Sequence, residues 1–258
     1  MDVPSYIALI QAGRLEDAYK VLVKSNPFPV VCGRVCDYQC QSKCRRGTVD
    51  EPVAIKNLKR FITDNASRPE ISSIPVTRKE KIGIIGAGPA GLTAARGLTQ
   101  RGYKVVVWEE LPEPGGMLRY GIPAYRLPRD ILVKEIEEIK NLGVEIKCNI
   151  RVGRDISFEE IKKRFDYIFL APGVSKSQNM GIEGEDMQGV FGGIEFLRDF
   201  NLHEKSWLRK EKKLGERVAV IGGGNSAVDA ARCALRLGAK VNILYRRRKE
   251  DMPAFSEE

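Results

Sequence analysis

The stretch KIGIIGAGPAGLTAARGLTQRGYKVVVWEE, residues 81–110, decides the fold of this chain. Its apolar residues predict a buried strand over 82–85, a helix over 90–101 and a second strand over 105–108. The first strand and the helix are joined by glycines at the spacing G-x-G-x-x-G, which are Gly86, Gly88 and Gly91. This order of strand, glycine turn, helix and strand is typical of a βαβ unit that binds a dinucleotide. The sequence therefore predicts an α/β fold.

The chemistry of this unit lies in its turn and at the end of its second strand. The first glycine permits the tight turn, the second lets the backbone approach a pyrophosphate, and the third lets the helix pack on the strand. The helix N-terminus offers free N–H groups and a partial positive charge, which stabilise a phosphate by ~0.3–1 kcal/mol. Glu109 ends the second strand, where a carboxylate accepts hydrogen bonds from ribose hydroxyls. A glycine-rich turn in some other α/β protein is the alternative, and the joint occurrence of these features argues against it.

Composition and charge exclude several classes of protein. The chain has 258 residues, of which 43% are hydrophobic and 30% charged, as in ordinary globular proteins of more than one domain. No secretory signal is present and no apolar run approaches the ~20 residues of a membrane span, so we expect a cytoplasmic protein. The net charge of +9 comes from basic residues interleaved with acidic ones, so we expect no nucleic-acid binding. A nucleic-acid-binding protein is the alternative, and no recognition motif supports it. The single histidine, His203, excludes a histidine-based triad or metal cluster.

Residues 1–76 form a segment of helical, cysteine-rich character. Apolar side chains at helical spacing predict helices over 14–24 and 53–64. Between them, four cysteines follow the pattern C-x3-C-x3-C-x3-C, which are Cys32, Cys36, Cys40 and Cys44. Thiolates so close together predict an iron–sulfur or other metal site, because soft sulfur ligands select those partners. Structural zinc and buried free cysteines on a helix are the alternatives.

The first dinucleotide-binding domain is predicted to span residues 77–175. Its loop over 111–130 contains two adjacent glycines, Gly115 and Gly116, and lies at the carboxyl end of the sheet, where ligands of open α/β sheets bind. Asp130 is expected to cap the helix that follows. The polar stretch 174–214 is interpreted as a crossover between domains.

The dinucleotide motif returns at 217–247, which aligns with the first copy without a gap. Its glycine turn has the G-x-G-x-x-A form, supplied by Gly222, Gly224 and Ala227. The first copy ends in an acid, whereas the second ends in Tyr245 followed by arginines. An arginine there accommodates a ribose 2′-phosphate, and a charge-assisted contact of this kind contributes ~1.5–3 kcal/mol. The second unit, residues 176–258, is therefore predicted to bind NADP(H) through Arg246 and Arg247, with a solvated basic cluster as the alternative.

The chain has a cysteine-rich helical segment followed by two Rossmann-like units, one ending in an acid and the other in arginines. In this order of segments it resembles the family of the small (beta) subunit of NADPH-dependent glutamate synthase. Relatives include the N-terminal part of dihydropyrimidine dehydrogenase and the flavoprotein subunit of NADH-dependent ferredoxin:NADP oxidoreductase. The resemblance covers the whole chain, and its most specific pieces are PVVCGRVCDYQC, IGIIGAGPAGL, EPGGMLRYGIP, VAVIGGGNSAVDAAR and YRRRKEDMPA.

The resemblance implies three cofactors, FAD, NADP(H) and a [4Fe–4S] cluster. FAD would be held by Gly86, Gly88, Gly91, Glu109, Gly116, Met117 and Leu118, and we add Pro89, Ala90 and Gly173 to this set. NADP(H) would be held by Gly222, Gly224, Asn225, Ser226, Ala227, Arg246 and Arg247. The cluster ligands would be Cys32, Cys36, Cys40 and Cys44.

The sequence also departs from the family. In the family, the clusters draw cysteines from a second segment, which would precede Asp2, and Lys59 occupies the place of a Gln or Glu ligand of some relatives. The second Rossmann-like unit has two strands, whereas a mononucleotide-binding half needs a third. We therefore interpret the sequence as a partial chain, either truncated, a split subunit or a gene fragment.

The expected function is that of an NAD(P)H oxidoreductase subunit, which passes hydride from NADPH to FAD and electrons through iron–sulfur clusters to a partner. That partner would be a glutamate synthase large subunit or a ferredoxin-type protein. A non-catalytic electron-transfer or assembly subunit, linked to ferredoxin, hydrogenase or formate dehydrogenase, is the alternative, and the partial chain is expected to be inactive if its flavin site needs completion.

Overall fold

The structure is a computed structural model that describes residues 1–208 and 214–255. By their contacts these residues form two compact units. The first comprises Met1–Pro114 and Arg126–Pro172, and the second comprises Gly115–Tyr125 and Gly173–Glu258. The helical segment and the first βαβ unit thus belong to one compact unit. The three-part division at 1–76, 77–175 and 176–258 stays a prediction.

The first unit begins with helices. They are α1 (Val3–Gln11), α2 (Leu15–Ser25), α3 (Pro29–Val35), α4 (Gln39–Ser42) and α5 (Ile55–Asn65), with a 3-10 turn at Arg45–Thr48. Both helices predicted in this segment are confirmed, since α2 and α5 begin within two residues of the predicted positions. Pro29 begins α3, because the first helical turn does not need its missing N–H. A common core joins α1, α2 and α5 and consists of Tyr6, Ala18, Tyr19, Leu22, Ile55 and Ile62.

A parallel sheet forms the rest of the first unit. The elements between residues 81 and 170 are β1 (Lys81–Ile85), α6 (Pro89–Thr99), β2 (Lys104–Trp108), α7 (Met117–Tyr120), α8 (Arg129–Asn141), β3 (Glu145–Lys147), α9 (Phe158–Arg164) and β4 (Tyr167–Leu170). Of these, α7 belongs to the second unit. The strand order is β3-β2-β1-β4, and Ile82 lies opposite Val105 on one side and Tyr167 on the other. Because the strands are parallel, Gly86 and Glu109 follow neighbouring strands at the same edge.

One prediction in the connecting stretches was wrong. Asp130 does not cap α8, because the cap is Pro128 and Asp130 lies in the first helical turn, where its charge still favours the helix dipole. The stretch 174–214, whose interpretation as a crossover stays a prediction, contains α10 (Gly193–Leu202) and α11 (Glu204–Leu208). Residues 209–213 of that stretch lie outside the described residues. The buried residues of α10, Phe196, Leu197 and Phe200, fall at the helical spacing i, i+1, i+4, a periodicity that the polar composition of the stretch obscures.

The second unit is built on a two-stranded parallel sheet. It contains β5 (Arg217–Ile221), α12 (Asn225–Arg236) and β6 (Lys240–Leu244), followed by a 3-10 turn at Lys249–Asp251. The strands pair from Arg217 opposite Lys240 to Ile221 opposite Leu244. Helix α10 packs on α12 through Phe200 and Cys233. The predicted strand–turn–helix–strand order is confirmed. Across residues 1–208 and 214–255, no helix is both long and apolar enough to cross a membrane.

Candidate dinucleotide and cysteine sites

The turn between β1 and α6 is too compact for any side chain at two of its positions. Gly86 has φ +104°, and a Cβ atom there would lie 2.1 Å from the carbonyl oxygen of Ala171. A Cβ atom on Gly91 would lie 1.9 Å from the carbonyl oxygen of Gly86. The helix therefore sits directly on the turn, as the sequence predicts for a dinucleotide-binding unit.

The N-terminus of α6 is open to a ligand. Its cap is Gly88 in an extended conformation, Pro89 is the first helical residue, and no side chain of the described residues caps the helix. Ala90 is exposed beside it. The first N–H groups of a helix have no partner within the helix, so this end fits the pyrophosphate of a dinucleotide.

The Glu109 carboxylate accepts a hydrogen bond from the glycine turn between β1 and α6. Its side chain is 6% exposed, and Oε2 accepts a hydrogen bond from Ala87 N–H at 2.8 Å. Its Oε1 accepts a hydrogen bond from Leu111 N–H at 3.0 Å. Sequence reasoning assigned this carboxylate to a ribose and missed that it ties the end of β2 to the glycine turn. Each oxygen of a carboxylate has two acceptor sites, so capacity for a ribose hydroxyl remains.

The loop residues predicted to bind FAD lie in the second compact unit. Gly115 and Gly116 have φ +132° and +52°, and Gly116 caps α7. Met117 and Leu118 form the first turn of this short helix, and the Met117 side chain is 37% exposed. Gly173 belongs to the same unit. The predicted FAD set is thus divided between the two units, and its assignment stays a prediction.

The turn between β5 and α12 repeats the first one in a more open form. Gly222 has φ +135° and Gly224 caps α12, again without a side-chain cap. A Cβ atom on Gly224 would have no heavy atom within 4 Å among the described residues beyond its own neighbours in the chain. Ser226 is exposed, and Ala227 donates its N–H to the carbonyl oxygen of Gly224 at 3.0 Å. This helix end also fits a pyrophosphate.

Two of the arginines after β6 have no counter-charge among residues 1–208 and 214–255. Arg246 and Arg247 are exposed, and neither makes an ion pair within the part of the chain that the structure describes. Arg248 instead pairs with Asp251, with Nε and Oδ2 at 3.2 Å. The charges of Arg246 and Arg247 therefore remain available to a phosphate, which a planar guanidinium binds well.

The four predicted ligand cysteines lie within or directly beside short helical elements. Cys32 lies in α3 and Cys36 ends it, whereas Cys40 lies in α4 and Cys44 precedes the 3-10 turn. All are free thiols. Burial raises the pKa of Cys32, whereas hydrogen bonds from the backbone, first that of Val53, lower the pKa of Cys44. The thiolate form that a metal needs is thus favoured at Cys44 and disfavoured at Cys32.

The cysteines do not make a closed metal site by themselves. Among the residues described, no three His, Cys, Asp or Glu side chains are grouped as a metal ion requires. In this arrangement the thiols do not fit a cluster, so we derive no step through one. The assignment of Cys32, Cys36, Cys40 and Cys44 as ligands stays a prediction.

A buried carboxylate caps the cysteine-bearing helix α3. Glu135 of α8 is fully buried, and its two oxygens accept hydrogen bonds from Val30 N–H at 2.7 Å and Val31 N–H at 3.1 Å. Burial raises the pKa of Glu135 to about 7, against the opposing effect of these two hydrogen bonds. The charged and titratable groups nearby are Glu138, Arg68, Tyr19 and Arg96.

Because the pKa of Glu135 is raised, we expect the stability of the protein to depend on pH. The native state holds the proton of Glu135 more tightly than the unfolded chain, where its pKa is 4.5. We therefore expect its contribution to the unfolding free energy to decrease by roughly 3 kcal/mol as the pH rises from about 4.5 to about 7. Urea denaturation at several pH values checks this, because Glu135→Gln should lose that part of the slope. Glu137→Gln, an exposed acid on the same helix, is the control, and a slope unchanged in Glu135→Gln contradicts the prediction.

The chain is similar to two kinds of known domain. Residues 80–258 match the family model described as pyridine nucleotide-disulphide oxidoreductase. Residues 1–71 match the model described as dihydropyrimidine dehydrogenase domain II, 4Fe-4S cluster. Among solved structures, Mycobacterium tuberculosis FprA in complex with NADPH is similar with a TM-score of 0.59 and 26% identity, over 69% of this chain and 45% of that one.

Curated relatives are longer than this chain. It is 45% identical to the NADP(+)-dependent formate dehydrogenase subunit beta of Moorella thermoacetica, over 100% of this chain and 40% of that protein. It is 38% identical to the glutamate synthase [NADPH] small chain of Escherichia coli K12, over 99% of this chain and 57% of that protein. The chain thus spans about half the length of these relatives.

Proposed function

Because the chain belongs to the pyridine nucleotide-disulphide oxidoreductase family, we propose that it is the nucleotide-binding part of a flavin-dependent NAD(P)H oxidoreductase subunit. In this function hydride passes from NADPH to FAD, and the electrons pass on to a partner. The single observation that carries the proposal is the pair of glycine turns, each leading to a helix without a side-chain cap. Two such helix ends provide for two dinucleotides.

The two turns differ in the charge that follows them, and this supports different cofactors. Glu109 would orient the ribose of FAD through its remaining acceptor sites while it holds the glycine turn in place. Arg246 and Arg247 would bind the 2′-phosphate of NADPH, since neither has an ion pair among the described residues. When bound, the two cofactors supply the hydride and electron chemistry, and the protein supplies binding and orientation.

FAD and NADP(H) follow from the family match over residues 80–258, and a [4Fe–4S] cluster follows from the match over residues 1–71. Since the cysteines of the described residues are not grouped as a cluster requires, we route no electron-transfer step through them.

The partner and the cellular location are further parts of the proposal. The relatives named above are subunits or chains of NADP-dependent enzymes, which supports a redox partner subunit, either of the glutamate synthase large-subunit type or of the ferredoxin type. Six free thiols support a reducing compartment, and we therefore place the protein in the cytoplasm.

One observation favours a second candidate function. Within the described part of the chain, the edge strand β4 pairs with β1 alone, and its apolar residues Tyr167, Phe169 and Leu170 are 63%, 42% and 60% exposed. In native proteins an exposed sheet edge of this kind is usually covered by a further segment of protein. The second candidate is thus an electron-transfer or assembly subunit whose flavin site is completed by another chain.

The visible absorption spectrum of the full-length protein, prepared anaerobically, tests both candidates. We expect a flavin spectrum that is bleached by NADPH at lower concentration than by NADH. Protein that binds no flavin, or flavin that neither nucleotide bleaches, would overturn the oxidoreductase proposal for the protein alone. Recovery of the flavin spectrum only after addition of the partner subunit would favour the second candidate.

A further inference from the structure

The chain after β6 turns back to the glycine turn that precedes α12. Tyr245 lies against Gly223 so closely that a Cβ atom there would be 2.8 Å from the tyrosine ring. The Tyr245 hydroxyl donates a hydrogen bond to the carbonyl oxygen of Asp251 at 3.1 Å. The end of β6 is thereby joined to the 3-10 turn at Lys249–Asp251, so the segment between them, which carries Arg246 and Arg247, is held at both ends.

The 3-10 turn is itself held by local hydrogen bonds. Asp251 N–H donates to the carbonyl oxygen of Arg248 at 3.1 Å, and the Arg248 guanidinium donates to the Asp251 carboxylate at 3.2 Å. Met252 N–H donates to the carbonyl oxygen of Lys249 at 3.1 Å. Arg248 is therefore a structural residue of this turn, which distinguishes it from Arg246 and Arg247.

Residues 252–255, which we call the return segment, then bind the glycine turn directly. Ala254 N–H donates to the carbonyl oxygen of Gly223 at 3.0 Å. Phe255 N–H donates to Oδ1 of Asn225 at 3.0 Å. Because a backbone N–H can only donate, this bond determines which side of the Asn225 amide faces the return segment.

We propose that Asn225 and the return segment hold the Arg246–Arg247 turn in a fixed place beside the pyrophosphate-binding turn, so that Asn225 is a positioning residue for recognition of a 2′-phosphate. This inference rests on the proposed function and deepens it. Long arginine side chains lose conformational freedom when they bind, and a backbone that is already ordered reduces that cost. Asn225 therefore increases the binding affinity for those ligands that carry the 2′-phosphate.

Two small ligands separate this role from direct binding of the pyrophosphate. Adenosine 2′,5′-bisphosphate carries the 2′-phosphate, adenosine 5′-monophosphate lacks it, and neither has a pyrophosphate or a nicotinamide. Titration calorimetry on the full-length protein gives the dissociation constant of each. We expect the wild type to bind the bisphosphate more tightly.

Two variants break the same hydrogen bond from opposite sides. Asn225→Ala removes the acceptor, and Phe255→Pro removes the donor N–H while leaving Asn225 intact. Both are expected to weaken bisphosphate binding by about five- to tenfold, the value of one hydrogen bond, and to change monophosphate binding by less than about twofold. The double variant should be no weaker than either single variant, because both remove one interaction. Asn225→Asp keeps the acceptor and should retain the preference for the bisphosphate.

The outcomes distinguish this inference from the proposed function. A wild type that does not prefer the bisphosphate would overturn the NADP(H) assignment and the inference together. If the wild type prefers the bisphosphate, three results would overturn the inference alone. The variants could lose affinity for both ligands equally, they could lose affinity for neither, or the losses could add up in the double variant. Thermal unfolding of each variant shows whether the fold is retained, and Asn225→Ala keeps the test valid if Phe255→Pro does not fold.

Discussion

Replacement of Gly91 by alanine is expected to abolish retention of FAD by this protein. The new Cβ atom would lie 1.9 Å from the carbonyl oxygen of Gly86 and 3.1 Å from its carbonyl carbon. Both atoms belong to the backbone of the turn, so the clash can be relieved only by moving α6 away from the turn. The Gly86 backbone is held in place, because its N–H donates to the carbonyl oxygen of Trp108 at 2.8 Å. The pyrophosphate site and the packing of α6 on β1 are then lost together.

We expect overpacking at Gly91 to destabilise the protein by about 3 kcal/mol and to weaken FAD binding by roughly 100-fold. The ratio of flavin to protein absorbance after purification and urea denaturation measure the two effects. Gly97→Ala is the matched control on the same helix, because its Cβ atom would meet only Nη1 of the flexible Arg101 side chain, at 3.3 Å. That control should be stabilised by about 0.5–1 kcal/mol. Full retention of flavin by Gly91→Ala would show that this turn does not bind the cofactor.

The second large effect is expected from replacing Arg246 and Arg247 together by alanine. If they bind the 2′-phosphate, the variant loses about 1.5–3 kcal/mol of NADPH binding, which is roughly 10- to 100-fold in kcat/KM. NADH has no 2′-phosphate, so its kcat/KM should change by less than about twofold. Steady-state kinetics with each nucleotide measure the ratio.

A matched control removes two positive charges from the opposite end of the same two strands. Arg217 and Lys240 are exposed and pair in register at the amino ends of β5 and β6. Their double replacement by alanine should reduce the rates with NADPH and NADH alike, if at all, since only long-range attraction of an anion is altered. An equal loss with both nucleotides in the Arg246→Ala, Arg247→Ala variant would mean that these arginines attract anions without recognising the 2′-phosphate.

Local patterns were sufficient to predict the two dinucleotide-binding units. The apolar runs, the glycine spacing and the helix periodicity each arise within about 30 residues, so β1, α6, β2 and their repeats are confirmed near their predicted positions. Helix α10 was missed although its buried Phe196, Leu197 and Phe200 fall at the helical spacing i, i+1, i+4, because the stretch was interpreted by its polar composition. Cap identity at α8 was also mispredicted, because the geometry of Pro128 decides where the helix begins.

An α/β protein with two dinucleotide-binding turns of opposite charge after a cysteine-rich helical segment could be predicted from sequence alone. These features are local, and the chemistry of a turn follows from the residues within it. The way in which the turns and the cysteine helix are held became evident only from the packing of the elements. Glu135 caps α3 across 105 residues, Glu109 holds Ala87 across 22, and Asn225 holds Phe255 across 30. A hydrogen bond between such distant residues depends on how the elements pack, and no spacing along the chain encodes it.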